Sequence, residues 1–262
     1  MEIRKASVVV TGASRGLGLA LSSALARAGA KVVMVARSAS ELEAAARLVN
    51  DAARTSGQGG EAHALAFDVG QKEAVHPIAG AAAALVDDVD IVVHAASTLG
   101  PVPMPLLLDT DCEDFERVLA VNLVGPFRLT KALIGPMVLR QRGLVLFVSS
   151  DAAVSAYSGW GSYGVSKAAQ DHLARSFAVE LDPVRFIAVD PGEMDTKMHA
   201  DALPDADPAT LARPSDVASR LVTLIRTAES IPNGARVSAS DFALASPPSA
   251  STSQPVLQGA VP

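Results

Sequence analysis

Short runs of β-branched residues alternate with longer alanine-rich segments along almost the whole chain. The runs are Ser7–Val10, Lys31–Val35, Ala62–Phe67, Asp90–His94, Leu144–Val148 and Arg185–Val189, with a weaker seventh at Arg236–Ala239. The first, second, fourth and fifth are almost continuously apolar, as strands covered on both faces must be. Between them lie helix candidates at Leu17–Ala28, Ser40–Ser56, Lys72–Val86, Asp111–Leu139, Gly161–Leu181 and Pro214–Thr227. This rhythm predicts an α/β protein with a seven-stranded, mostly parallel sheet and helices on both faces. Right-handed crossovers then narrow the topology to a doubly wound sheet.

At 262 residues the chain is expected to form one domain over residues 1–245. Two stretches break the rhythm. Residues 193–213, with Pro204 and Pro208 inside and Pro214 next in line, make too long a connection for an ordinary loop and are expected to form a functional lid. Residues 246–262 are rich in Ser, Pro and Gln and are expected to be a mobile tail. A formal net charge of −6 provides no basic field for nucleic acid or an anionic membrane. No apolar run is read as reaching the roughly 18–20 residues of a membrane span. The single cysteine, Cys112, excludes an intramolecular disulfide and suits a reducing cytoplasm. Its acidic neighbours should raise its thiol pKa, so no catalytic role is assigned to it.

The first strand runs directly into T11-G-A-S-R-G-L-G18 and then a helix. Such a turn lets main-chain N–H groups approach a pyrophosphate at the helix N-terminus. Gly12 would permit the tight turn, Gly16 the approach of the cofactor, and Gly18 the packing of helix on strand. Ser14, Arg15 and Leu17 belong to the same expected cradle. No G-K-S/T follows, so a P-loop is excluded. The second strand ends in V-A36-R37-S38. A carboxylate there would select the ribose hydroxyls of NAD. Arg37, with Arg15 nearby and Ser38 beside it, instead favours the 2′-phosphate of NADP. Asp68, followed by Val69 after the third strand, is expected either at the adenine or as a cap on the next helix.

Tyr163 and Lys167 stand one helical turn apart in Y163-G-V-S-K167 and so share a face. A lysine beside a phenol favours the phenolate, which would make Tyr163 a usable acid or base.

Together these segments resemble the short-chain dehydrogenase/reductase family over about Ser7 to Ala239. T11-G-x-x-x-G16-x-G18 is similar to its cofactor motif and Y163-G-V-S-K167 to its Y-x-x-x-K pair. Ser150 lies where the family places a catalytic serine, and Asn122 where it places a helix asparagine. P191-G-E-M-D-T196 is similar to its P-G-x-x-x-T segment. The resemblance implies a Rossmann fold with a Ser150–Tyr163–Lys167–Asn122 site. Tyr163 would donate a proton to a carbonyl as hydride arrives from NADPH, and Ser150 would hold the carbonyl oxygen. Lys167 would lower the tyrosine pKa and bind the nicotinamide ribose. Asn122 would hold a water that relays protons to Lys167. Ala95, Pro191, Gly192, Met194 and Thr196 would border the cofactor. Members are commonly dimers or tetramers, so a homo-oligomer is implied.

One segment departs from the pattern. The family's N-N-A-G after the fourth strand is here H94-A-A-S97. Ala95 loses a bracing amide, and His94 is read as a satisfied core histidine rather than its replacement. Ser149 is read as satisfying local main-chain groups. The expected substrate segments supply Leu99, Met104, Val154, Tyr157, Trp160, Met194, Met198 and His199. That lining points to a mostly apolar carbonyl or alcohol. A likeness to the sepiapterin-reductase branch adds pterin side-chain ketones as an option. The rival in another class is an NADP(H)-binding regulatory protein without turnover. An epimerase or dehydratase of the extended relatives is disfavoured for want of a second domain.

Overall fold

The computed structural model describes residues 1–245, so the expected tail at 246–262 lies outside the described residues. Seven strands form one sheet: β1 (Ser7–Thr11), β2 (Lys31–Ala36), β3 (Glu61–Ala66), β4 (Ile91–His94), β5 (Leu144–Val148), β6 (Arg185–Asp190) and β7 (Arg236–Ser238). Their order is β3-β2-β1-β4-β5-β6-β7. Every pairing is parallel, where the sequence promised only a mostly parallel sheet. The winding reverses between β1 and β4, with Val8 opposite Val32 on one side and Ile91 on the other. Side chains of β1 and β5 are buried throughout, which accounts for the uninterrupted apolar runs.

Helices α1 (Gly16–Arg27), α2 (Ala39–Ser56) and α8 (Pro214–Thr227) cover one face with Leu21, Leu25, Leu42, Val49, Leu221 and Leu224. The opposite face is covered by α3 (Val75–Val86), α5 (Gly125–Leu139) and α6 (Gly161–Glu180) through Ile78, Leu129, Leu133 and Phe177. Local signals set the ends. Ser38 caps α2 by accepting from the Glu41 N–H, Gly57 ends it at φ +66°, and Pro214 opens α8.

Three expected elements are more finely divided than the sequence suggested. The segment Lys72–Val86 begins as a 3-10 turn, Lys72–Ala74, before α3. The single helix expected over Asp111–Leu139 is α4 (Cys112–Leu119), a π-helical turn (Ala120–Val124) and then α5. π turns inside helices often mark functional sites. The whole span Cys112–Leu139 is long and apolar enough to cross a membrane by length and composition, contrary to the sequence reading, yet it buries Val118, Asn122, Leu129, Leu133 and Met137 within the protein. The stretch read as a lid holds a short helix, α7 (Lys197–Ala202), capped by Thr196, and a bridge between Met194 and Ala212.

Candidate active site

The carboxyl ends of the central strands open onto a cavity of about 860 Å3, a size suited to a small ligand. Sixteen of the seventeen residues expected at a cofactor line it, and only Gly192 does not. Gly12, Ser14, Arg15, Gly16, Leu17 and Gly18 come from the turn between β1 and α1. Arg37 and Ser38 follow β2, Asp68 and Val69 follow β3, and Ala95 follows β4. Tyr163 and Lys167 enter from α6, and Pro191, Met194 and Thr196 from the segment after β6. Gly192 is set aside in a turn at φ +73°, its N–H bonded to Asp190 Oδ1 at 3.0 Å.

The glycine turn fits a dinucleotide. Gly12 has φ +69°, and a Cβ there would stand 2.8 Å from the Ala96 main chain. A Cβ on Gly18 would collide with the Gly12 carbonyl, so helix and strand meet only without side chains. No side chain caps α1, which leaves first-turn N–H groups available for a phosphate. Arg15 and Arg37 are exposed beside this turn, and among the described residues neither is paired with a carboxylate. Glu41 borders the same end of the cavity. Asp68 caps no helix: its Oδ1 accepts from the Gly70 N–H at 2.9 Å in a local turn, and the 3-10 turn Lys72–Ala74 has no side-chain cap, while Asp68 lines the cavity.

Deeper in, the polar groups are buried. Tyr163 is almost wholly enclosed, and burial pushes its phenol up to about 12. The nearby Ser150 and Ser97 hydroxyls act in the opposite direction without overcoming it. Lys167 therefore does not bring the phenol below its ordinary range; its Nζ stands 5.6 Å from the ring centroid. That corrects the sequence expectation, because the cost of burying a phenolate exceeds the help from neighbouring donors. Burial lowers Lys167 itself to about 8, against the field of Asp171.

Ser150 and Asn122 do not line the cavity. Ser150 Oγ donates to Asp151 Oδ1 at 2.9 Å and accepts from the Ala152 N–H at 3.2 Å. Burial disfavours the Asp151 carboxylate, but hydrogen bonds from Tyr157, Ser150 and Ala152 outweigh it and hold its pKa down. Asn122, fully buried in the π turn, accepts from the Thr98 N–H at 2.8 Å and donates to Thr98 O and Ser166 Oγ, both at 2.9 Å. Its main-chain oxygen accepts from Gln170 Nε2 at 2.9 Å. The side chain is thus a brace for the loop after β4.

The first three residues of the divergent segment are well satisfied. His94 Nε2 pairs with Thr130 Oγ1 at 2.8 Å, and its ring stacks on Phe147. Burial, then the field of Lys167, lowers it to about 3, so it is a neutral core histidine. Thr11 Oγ1, from the neighbouring strand β1, accepts from both the Ala95 and Ala96 N–H groups at 3.1 Å and braces the segment although Ala95 has no side-chain amide. Ser149 makes no main-chain bond through its hydroxyl; it lies buried beside Asp171.

Sequence reasoning missed Arg236 and Gln170, and it read Ser97 only as the replacement for a family glycine near the cofactor. Ser97 lines the cavity with a buried hydroxyl that has no hydrogen-bond partner. Arg236, on β7, donates to Asp171 Oδ2 at 3.0 Å, Asp190 Oδ2 at 2.8 Å and the Ser150 carbonyl at 2.9 Å. It ties the end of β5 to α6 and β6. An arginine on a weak edge strand gave no local signal of this. Leu99, Ala152 and Tyr163 form a small apolar cluster with Met104, Trp160, Met198 and Ala202 beside it. Val154 and Tyr157 are exposed.

A sheet that winds both ways from a glycine turn, with a tyrosine and a lysine on one helix face at its carboxyl edge, defines an oxidoreductase built on a dinucleotide-binding fold. The family model for short chain dehydrogenase matches residues 6–207, and the chain belongs to that family. An uncharacterized oxidoreductase of Mycobacterium tuberculosis is 36% identical over 191 residues, 72% of this chain and 69% of that protein. A 1-deoxy-11-beta-hydroxypentalenate dehydrogenase of Streptomyces avermitilis is 33% identical, covering 76% of this chain and 72% of the other. A short chain dehydrogenase of Shigella flexneri, solved in complex with NADP, superimposes with a TM-score of 0.81 at 25% identity, covering 91% of this chain and 98% of that one.

Proposed function

We propose that the protein transfers a hydride between NADP(H) and a carbonyl or secondary alcohol, as a carbonyl reductase. The observation that carries the reading is the placement of Tyr163 and Lys167 on one face of α6, in the same cavity as the glycine turn. When bound, the nicotinamide supplies the hydride. The glycine turn and first-turn N–H groups of α1 bind its pyrophosphate, and Arg37 with Arg15 binds a 2′-phosphate. The two arginines, with no carboxylate at the end of β2, support that choice over NAD. Asp68, Val69 and Ala95 border the adenosine and ribose, while Pro191, Met194 and Thr196 border the nicotinamide.

Tyr163 donates its proton to the substrate oxygen. A phenol held near 12 stays protonated through the neutral range, which suits the reductive direction. Lys167 holds the ribose and stabilises the phenolate left after transfer. Ser150 hydrogen-bonds the same oxygen once its hydroxyl turns from Asp151. Asn122 positions the loop that carries Ser97 and Thr98.

Residues 1–245 act as one unit, with 193–213 closing over the substrate. The Leu99, Met104, Trp160 and Met198 wall favours an apolar carbonyl, and pterin ketones belong in the test set. Exposed Phe127 and Leu139 of α5 and Val165 and Val179 of α6 suit a homo-oligomer. The lone cysteine suits a reducing cytoplasm.

The test is NADPH oxidation across apolar ketones, diketones, quinones and pterins, with Tyr163→Phe alongside. Loss of the phenol should lower turnover by roughly 10²–10⁴-fold and leave NADPH affinity nearly unchanged. Turnover that survives in Tyr163→Phe removes the acid assignment. NADPH binding with no turnover on any carbonyl favours the regulatory reading.

A further inference from the structure

A fully buried polar cluster lies next to Tyr163 on α6. Lys167, Gln170 and Asn122 are all buried to within 1% of completely. In a regular α-helix the Asn122 carbonyl would accept from the N–H of residue 126. Residue 126 is a proline, which has no N–H to give. With no donor at that position, the oxygen accepts from Gln170 Nε2 at 2.9 Å. The other end of the same carboxamide, Oε1, stands 3.4 Å from Lys167 Nζ. Chemistry fixes this orientation: a carbonyl only accepts and an ammonium only donates, so the amide cannot be turned round. Lys167 also donates to the Val148 carbonyl at 2.6 Å. Of three ammonium hydrogens, two are thus committed to the protein and one is left for the cavity.

We propose that Gln170 is a positioning residue, a carboxamide strut between the Asn122 carbonyl and the Lys167 ammonium that aims the one remaining lysine hydrogen at the cofactor and keeps the lysine charged. It stands where the family resemblance led us to expect a relay water, and an amide has no titrating proton to pass on. The inference rests on the reading of Lys167 as the cofactor-binding and phenolate-stabilising lysine. Among the described residues, Tyr163 and Asp171 on α6 and His94 on β4 act on or lie beside this lysine, and Arg236 on β7 and Asp190 on β6 connect to it through Asp171. None of them occupies the place Gln170 takes between the ammonium and Asn122.

The experiment is the pH dependence, from 6 to 10, of kcat for NADPH-dependent carbonyl reduction by the full chain. Wild type should lose activity as pH rises through the Lys167 pKa, near 8. Gln170→Met keeps the volume and removes the acceptor; the inflection should fall by about one pH unit. Gln170→Glu offers a carboxylate; the inflection should rise by about the same amount. A residue that merely fills space would lower kcat evenly or lower the unfolding temperature and shift neither inflection. Met and Glu variants that both keep the wild-type inflection overturn the proposal. Thermal unfolding is recorded first. Should either variant not fold, Gln170→Asn, which keeps the amide but is too short to span both partners, should move the inflection down. NADPH affinity, read by its fluorescence over the same pH range, gives a second arm that needs no substrate. If wild type reduces no carbonyl, the functional reading fails while this arm still decides the role of Gln170.

Discussion

The two ends of the cavity are built in opposite ways. The phosphate end relies on main chain and exposed cations: the Gly12–Gly18 turn, the uncapped start of α1, and Arg15 and Arg37 at the surface. The catalytic end relies on buried side chains whose hydrogen bonds interlock: Tyr163, Lys167, Gln170, Asn122 and Ser166. Exposed cations make screened, adjustable contacts. Buried polar groups are costly unless matched, so each constrains the next. The phosphate end should therefore set affinity and cofactor choice, while the catalytic end couples reactivity to stability and pH.

The largest expected effect that tests this contrast is at Arg37. Arg37→Ala should weaken NADPH binding by roughly 10–100-fold, leave NADH binding almost unchanged, and leave kcat with saturating cofactor near wild type. Titrating both cofactors measures it, and an equal loss for the two removes the 2′-phosphate assignment. Next comes the pH dependence of stability at the other end. His94 has a folded pKa near 3 against an ordinary 6.5. Below 6.5 the unfolded chain binds a proton that the folded chain refuses, so this contribution is full above 6.5 and is lost as pH falls toward 3. Between pH 7 and pH 5 the loss should be about 2 kcal/mol. Denaturant unfolding at both pH values should show that difference shrinking in His94→Asn; an unchanged difference would place the sensitivity elsewhere. The smallest effect is expected at the seam. Thr11→Val removes the acceptor shared by Ala95 and Ala96 and should cost about 1 kcal/mol, with little change in NADPH affinity. A large affinity loss would mean that the two ends are less separate than their construction suggests.

The contrast also governs what could be read from sequence. The glycine turn, Arg37 and the Tyr163–Lys167 pair are local: a strand, a turn and a helix period suffice to find them, and all of them line the cavity. The alternation of strands and helices gave the sheet for a similar reason, since burial on both faces leaves a continuous apolar run. What stayed hidden was non-local. Pro126 and Gln170 are ordinary residues until the π turn and α6 bring the Asn122 carbonyl between them. Arg236 lies on a three-residue strand with no periodicity to read. The raised pKa of Tyr163 was misjudged because adjacency to Lys167 is visible in sequence and burial is not.

The reach of Arg236 has a consequence for synthesis. Every motif residue of the site has left the ribosome once Thr196 emerges, and the family match is complete by residue 207. Yet the guanidinium that joins the Ser150 carbonyl to Asp171 and Asp190 is made some thirty residues later, on the last strand of the sheet. Until then the buried Asp171 carboxylate and the partly exposed Asp190 carboxylate lack the cation they share. A nascent chain halted after α7 would carry every motif residue but lack the guanidinium that joins the ends of β5, β6 and α6. The final strand therefore supplies the last of these ties.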